Sequence, residues 1–428
     1  MGAHSVAADR PRRHGRSGLR AAFLLLCLAA ATGAAAATGP SVGERLARVE
    51  AELRLDPASM QLLFEKGMLL SVLGRPLEAA DAFRQMLSRD PTLLRARLEL
   101  ARVLAQAGDH AGARYHLEQV LAHPLPDAVH RNVLNFLARI REELPLFSFS
   151  FDLVSDSNPN QATSNEQVVI DGLTYRLNAD ARARRSLGWR ATLGGRAPLP
   201  GAPLWFVRAD LQHDEHRGRD ADFSYLQATA GRHIRLADAT LSLEAGHHWA
   251  RYRQQALYAG PVASLTLFRP LRPDLSLQLG LAALALDYPA QPFREGWQTT
   301  ASARVLLASA PDRRWEFAAH FTHMVAREPA YSFDRPQLAV RYVCEWAGGW
   351  ITGTGVRTSW MHHDAADPFF RRTRAERSTE IDVDLINRRL RVWRMSPRLQ
   401  LGWVDNRSNI DFFDWRRAYL RLGLSGEF

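Results

Sequence analysis

At residue 146 the spacing of apolar residues changes from helical to alternate, and it stays alternate through residue 428. Phe147, Phe149, Phe151 and Leu153 fall on one face of an extended strand, with Ser148, Ser150 and Asp152 on the other. Three phenylalanines on one face are too apolar to stand alone in water, so this strand requires a core or a membrane. The switch divides the chain into residues 1–37, 38–144 and 145–428.

The third part is a succession of amphipathic strands. Trp205, Val207, Ala209 and Leu211 oppose Phe206, Arg208, Asp210 and Gln212; Trp315, Phe317, Ala319 and Phe321 oppose Glu316, Ala318, His320 and Thr322. A soluble sandwich buries the oily face, whereas a membrane barrel turns it to lipid and encloses the charges. Three features favour the barrel. Tight turns such as Pro198–Pro203, Ala310–Arg313 and Arg388–Arg389 alternate with longer polar segments such as 155–185, 362–377 and 405–414. Tryptophans sit near strand ends, as interfacial girdles do. The sequence also finishes on a strand whose Leu420, Leu422, Leu424 and Phe428 share a face, the kind of end that barrel-assembly machinery reads. The expected fold is a short helical solenoid followed by a transmembrane antiparallel β-barrel of about fourteen strands, an even number that returns both ends of the barrel to one side.

Residues 38–144 repeat at 34 residues, the tetratricopeptide period. Gly67 corresponds to Ala101, Gly74 to Gly108, Ala79 to Ala113 and Phe83 to Leu117. Small residues permit close helix crossing, Gly74 and Gly108 permit the turn between helices, and Phe83 and Leu117 dock the second helix on the first. Flanking helices over 43–55 and 127–144 cap the stack. Two full repeats bury little surface, so the solenoid is expected to lean on a neighbour. Its role is either that of a scaffold or that of a shallow peptide-binding surface.

The first 37 residues read as a secretory signal: Arg10, Arg12, Arg13, Arg16 and Arg20, an apolar run from Ala21 to Ala31, then Ala35-Ala36-Ala37 as a cleavage site. Removing it leaves Cys344 as the one cysteine of the mature chain, read as an apolar filler with no disulfide partner. The formal charge of +10 comes almost wholly from arginine. Those arginines are spread along the chain with no stripe on one helix, which argues against nucleic acid.

Arg190, Arg208, Arg304, Arg341, Arg357, Arg394 and Arg398 are expected to face the lumen together with Asp210, Glu316, Glu345, Asp382 and Asp384. They form either a mutually paired wall or a polar conduit without apolar holding sites. The seam between the first and last strands, with Gly423 and Gly426, is a third candidate exit. No catalytic elbow, phosphate loop or metal-ligand spacing is found. His247-His248 should point to opposite faces; His213-Asp214-Glu215-His216 and His362-His363-Asp364 read as solvated loops. Neither an enzyme nor a cofactor is expected.

Periplasmic repeats, a junction strand and then Asp156-Ser157-Asn158-Pro159-Asn160 opening a barrel resemble the surface lipoprotein assembly modulators, in which a similar Asp-Ser-Asn-x-Asn follows the first strand. The resemblance covers essentially the mature chain and implies an outer-membrane translocon. It implies outer-membrane lipid, a lipoprotein or related secreted cargo and its periplasmic chaperone as partners. The alternative is a porin or polysaccharide exporter of the repeat-plus-barrel type. Read from residues alone, Asp156, Ser157, Asn158 and Asn160 favour turns and would fold the first loop.

Overall fold

The computed structural model describes residues 40–428 apart from 124, 171, 219–220, 391, 393–394 and 428. The signal segment, Pro124, Arg394 and Phe428 therefore lie outside the described residues. Six helices come first: α1 (Val42–Leu55), α2 (Met60–Val72), α3 (Pro76–Arg89), α4 (Leu94–Gln106), α5 (His110–Val120) and α6 (Asp127–Glu143). Their starts are chemically marked. Ser41 and Glu44 form a reciprocal capping box on α1, Pro76 opens α3, and Asp109 accepts from the Gly112 amide at 2.8 Å on α5. Gly74 and Gly108 hold φ of 72° and 81° between paired helices, a conformation that a side chain disfavours. Gly67 is required by packing, since a Cβ there would stand 2.6 Å from the Phe83 ring. Ala79, Phe83, Ala101, Ala113 and Leu117 are buried in one continuous core.

The strands are β1 (Leu146–Asp156), β2 (Gln167–Ile170), β3 (Leu173–Arg176), β4 (Ser186–Leu199), β5 (Ala202–His216), β6 (Phe223–Arg235), β7 (Thr240–Tyr252) and β8 (Gln255–Arg272). They continue as β9 (Leu275–Leu286), β10 (Gly296–Ala310), β11 (Arg313–Ala326), β12 (Phe333–Trp346), β13 (Trp350–Ala366), β14 (Thr373–Asn387), β15 (Ser396–Ser408) and β16 (Trp415–Glu427). Strands β2 and β3 make a hairpin in the first long loop; the other 14 close into an antiparallel barrel. Closure pairs β1 with β16, from Ser148 opposite Glu427 to Asp156 opposite Tyr419.

Burial in the barrel is inverted. Leu153, Leu187, Leu281, Leu338 and Leu422 are 53–61% exposed on the outer wall, while Asp152, Asp156 and Asp214 are buried inside. Every ladder is paired, so the wall leaves no open edge and its oily exterior is satisfied by lipid. No described helix is long and apolar enough to cross a membrane. The protein sits in the outer membrane, with the helices at the end where the turns are tight.

Several local expectations are corrected. His213-Asp214-Glu215-His216 lies in β5 and His362-His363-Asp364 in β13, not in loops. Strands continue beyond the oily band because polar residues there still satisfy one another's backbone groups across the ladder. The β7–β8 connection is a tight Arg253-Gln254 turn with φ of 50° and 65° on the long-loop side, which breaks the short–long alternation. The β14–β15 connection spans 388–395, longer than the Arg388-Arg389 turn expected. The interior is not uniformly polar: Leu286, Tyr288 and Met324 pack with Tyr258, Leu284, Tyr331 and Phe333. The short helical turns Pro292–Arg294 and Pro329–Tyr331 fold over that end of the barrel and need this satellite core.

Candidate functional site

The motif at the end of β1 closes the barrel. Asp156 leaves β1 facing inward, where its Oδ2 accepts from Arg417 of β16 at 2.5 and 2.8 Å, and its Oδ1 accepts from the Asn158 amide at 2.9 Å. Ser157 continues the ladder past the strand end: its amide donates to Ala418 O at 2.9 Å and its hydroxyl accepts from the Ala418 amide at 2.8 Å. Asn158, 1% exposed, donates to Arg416 O at 3.0 Å and Ala162 O at 2.8 Å. Asn160 donates to Arg182 O at 2.9 Å, tying down the far side of the loop. Turn chemistry alone does not account for this arrangement. Three of the four residues bridge the first strand to the last.

Along the wall, charges pair both across strands and, for Arg208 and Asp210 on β5, within one. Arg190 holds Asp214 at 2.5 Å, Arg208 holds Asp210 at 2.7 Å and Arg357 holds Glu380 at 2.7 Å. Arg341 on β12 reaches over β13 to Asp382, at 2.7 Å, and Asp384 on β14. Gly353 and Gly355 make that reach possible, because a Cβ at either would stand 2.4 Å from Arg341 or 2.6 Å from Asp382. Arg398 joins Asp384 at 3.3 Å. Arg304 and Glu316 line the cavity described below, with Glu316 held by Arg314 at 3.2 Å. His248 is fully buried inside while His247 packs on Trp249 outside. Among the described residues no three His, Cys, Asp or Glu side chains gather to hold a metal. On the last strand Leu420 and Leu422 face outward at 41% and 55% exposure, and Leu424 shares their face by alternation.

At the periplasmic mouth the helices dock onto the barrel. Arg97 of α4, wholly buried, donates to Glu345 at the end of β12 at 2.7 Å and to Pro91 O at 2.5 Å. Tyr115 of α5 lies between the guanidiniums of Arg388, 3.9 Å from its ring, and Arg314, 4.9 Å away. Arg141 of α6 stacks over Phe268 at 3.8 Å. Arg196 of β4 donates to the carbonyls of Ile140 and Leu144 at 3.1 and 3.2 Å, and so caps the end of α6. Glu142 accepts from Thr240 at 2.6 Å and from Arg235, which also holds Glu143 at 2.5 Å. Contacts thus run from β4 through β14, around most of the rim. The solenoid leans on the barrel, as two repeats need to.

This interface is rich in polar groups and incompletely satisfied. Arg97 Nε and Gln119 Oε1 are buried without a hydrogen-bond partner. Burial, and then the neighbouring Arg97 and Arg388, hold His116 well below the usual imidazole range, so it docks neutral. Burial pushes the Tyr115 hydroxyl up. Between the helices and the inner wall lies a cavity of about 610 Å³ that includes Arg114, Glu118, Arg208, Asp210, Arg304 and Glu316 in its lining. Sequence reasoning missed Arg97, Tyr115, Arg196, Arg388 and Arg417. One signal was available: Arg97 stands 34 residues after Leu63, a buried position of the repeat, and an arginine there must find an acid.

Comparison with known proteins places these features. Residues 146–428 match the family model of the surface lipoprotein assembly modifier, and 73–139 match the tetratricopeptide repeat. A surface lipoprotein assembly modifier of Moraxella catarrhalis is 21% identical over 349 residues, covering 78% of this chain and 67% of that protein. Surface lipoprotein assembly modifier 1 of Neisseria meningitidis serogroup B is 26% identical over 146 residues, covering 32% of this chain and only 30% of that protein. Among solved structures, a bacterial polysaccharide outer membrane secretin aligns over 67% of this chain and 99% of its own with 11% identity and a TM-score of 0.38, a level that bears on neither fold nor function. With its barrel matched from first strand to last, the chain belongs to the surface lipoprotein assembly modifier family.

Proposed function

We propose that the protein is an outer-membrane translocon that helps surface lipoproteins, or related secreted proteins, cross to the cell surface. The supporting observation is the position of the repeats. They cover the periplasmic mouth of the lumen through Arg97–Glu345, Tyr115 between Arg314 and Arg388, and Glu142–Thr240. A passenger entering from the periplasm meets the repeats first, and they must shift before the lumen is free. A mouth sealed by polar contacts with orphaned donors and acceptors is suited to reversible opening, because water repays those groups on separation. The work is non-covalent: binding, undocking and passage, with no enzymatic step and no cofactor. The cargo, its periplasmic chaperone and, during biogenesis, the barrel-assembly machinery are the partners of this reading.

The test is to lock the mouth. Cysteines at Glu142 and Thr240, bridged by a short reductively cleavable crosslinker in the full chain, should abolish surface display of the cargo, and reductant should restore it. Display that continues with the bridge intact rejects passage through this mouth. A steady large conductance from the locked protein in planar bilayers favours a simple diffusion pore instead.

A further inference from the structure

The outer face at the extracellular ends of β14–β16 differs from the rest of the rim. Ile381, Trp403 and Ala418 share one outward level of the ladder, and both Ile381 and Trp403 are 42% exposed to the lipid side. At the next outward level Thr379 stands opposite Asp405 and Asp405 opposite Arg416. Above that, Trp360 stands opposite Arg377 and Arg377 opposite Arg407. With a rise of roughly 3.3 Å per residue, these arginines lie about 7–13 Å along the strands beyond the last oily level, at headgroup height.

Three guanidiniums there face a single carboxylate. Arg407 and Arg416 each approach Asp405 at 2.9 Å with 73% of their side chains exposed. Arg377 is also exposed, and no described carboxylate bridges to it. Like charges in directly opposed ladder positions, as Arg377 and Arg407 are, repel unless an anion lies between them. Elsewhere on the rim outward imidazoles sit beside carboxylates, His213 with Glu215 on β5 and His323 with Asp334 at 2.7 Å on β11 and β12, and Arg251 of β7 is a single arginine that donates to Gln254 O at 2.6 Å. The arginine-bearing strands are also held in place. Phe370 packs on Phe412 and Phe413 with centroids 5.5 Å away in each case, and Asn409 donates to Thr373 O at 2.8 Å, joining the two loops above.

We propose that Arg377, Arg407 and Arg416 form a binding site for the phosphate of a phosphorylated lipid in the outer leaflet. Planar guanidiniums recognise phosphate oxygens in pairs, Trp403 lies at the depth of the upper acyl chain, and Trp360 flanks the headgroup. A free phosphate ion offers the same oxygens without the chains, so the test separates the two.

The full chain, purified in detergent, is presented with bis-phosphorylated lipid A, with dephosphorylated lipid A and with inorganic phosphate, and binding is read by native mass spectrometry. R377A/R407A is compared with R251A, which removes an outward arginine on β7; different mobility of boiled and unboiled samples verifies each barrel. The wild type and R251A should bind lipid A alike. The double variant, and dephosphorylated lipid presented to the wild type, should bind at least about tenfold more weakly, the factor given by roughly 1.4 kcal/mol of charge-assisted hydrogen bonding. Equal binding by the double variant overturns the site, and an equal loss in R251A reduces it to general positive charge. Inorganic phosphate that binds as tightly as lipid A overturns the lipid assignment.

Discussion

Phe83 in the helices and Leu281 in the barrel are both large apolar side chains in regular structure, yet one is wholly buried and the other 55% exposed. The contrast lies in the solvent. In the helical part water drives Leu70, Phe83, Leu100 and Leu137 into one another. In the barrel lipid occupies the outside, and the enclosed side carries Arg341, Asp382 and Asp384. Exposure therefore marks a surface site in the first region and a membrane-embedded position in the second.

The largest expected effect tests the helical side of that contrast. Phe83→Ala should destabilise the repeats by about 3–5 kcal/mol, the usual loss for a buried phenylalanine. Urea should then remove the helical circular-dichroism signal earlier while the heat-dependent gel mobility of the barrel is retained. Loss of both together would mean that the two regions fold as one. Next comes the inverse site: Leu281→Arg, mid-strand on the lipid face, should cost roughly 2–4 kcal/mol in refolding into lipid. A neutral result would place that face away from lipid.

A smaller effect is expected at the seam. Asn158→Ala leaves Arg416 O and Ala162 O without their donor and should cost about 1–3 kcal/mol. It should appear as earlier loss of the closed-barrel gel form with the helical signal unchanged. The smallest is a pH effect on docking. His116 faces Arg97, Arg388 and Tyr115 and docks neutral with a lowered pKa. The undocked imidazole takes a proton below about pH 6.5, so docking is fully stable above that value and weakens as pH falls, by at most about tenfold per unit. Divided by the rate of a free thiol at the same pH, which corrects for the falling thiolate fraction, reaction of a cysteine at Thr240 with a thiol reagent should rise between pH 6.5 and 5.5 and lose that rise in His116→Gln.

Periodicity made the architecture legible. Alternation of period two from residue 146 and a 34-residue repeat before it specify strands and helix pairs, and the repeat marks Gly67 as a close crossing, while the Phe83 ring 2.6 Å from where its Cβ would stand is seen only in the fold. The same alternation assigns the charged residues expected to face the lumen, of which Arg394 lies outside the described residues. Partners across the fold did not, because nothing local ties Arg97 to Glu345, 248 positions away, or Asp156 to Arg417, 261 away. Strand ends were misjudged at His213 and His362 because polar residues that continue a ladder have the composition of a loop. The seam role of Asp156, Ser157 and Asn158 was hidden for a related reason: the same side chains that favour turns can hydrogen-bond the backbone of a remote strand.

In a closed ring each strand sets the register of the next, so a slip of one residue anywhere is carried around to the last junction. There the discrepancy would pull Asp156 away from Arg417 and Asn158 away from the Arg416 carbonyl. These polar contacts act like a vernier, engaging only when the thirteen earlier pairings have summed correctly. A barrel assembled out of step would be left ajar at one edge, marked by a buried carboxylate without its cation.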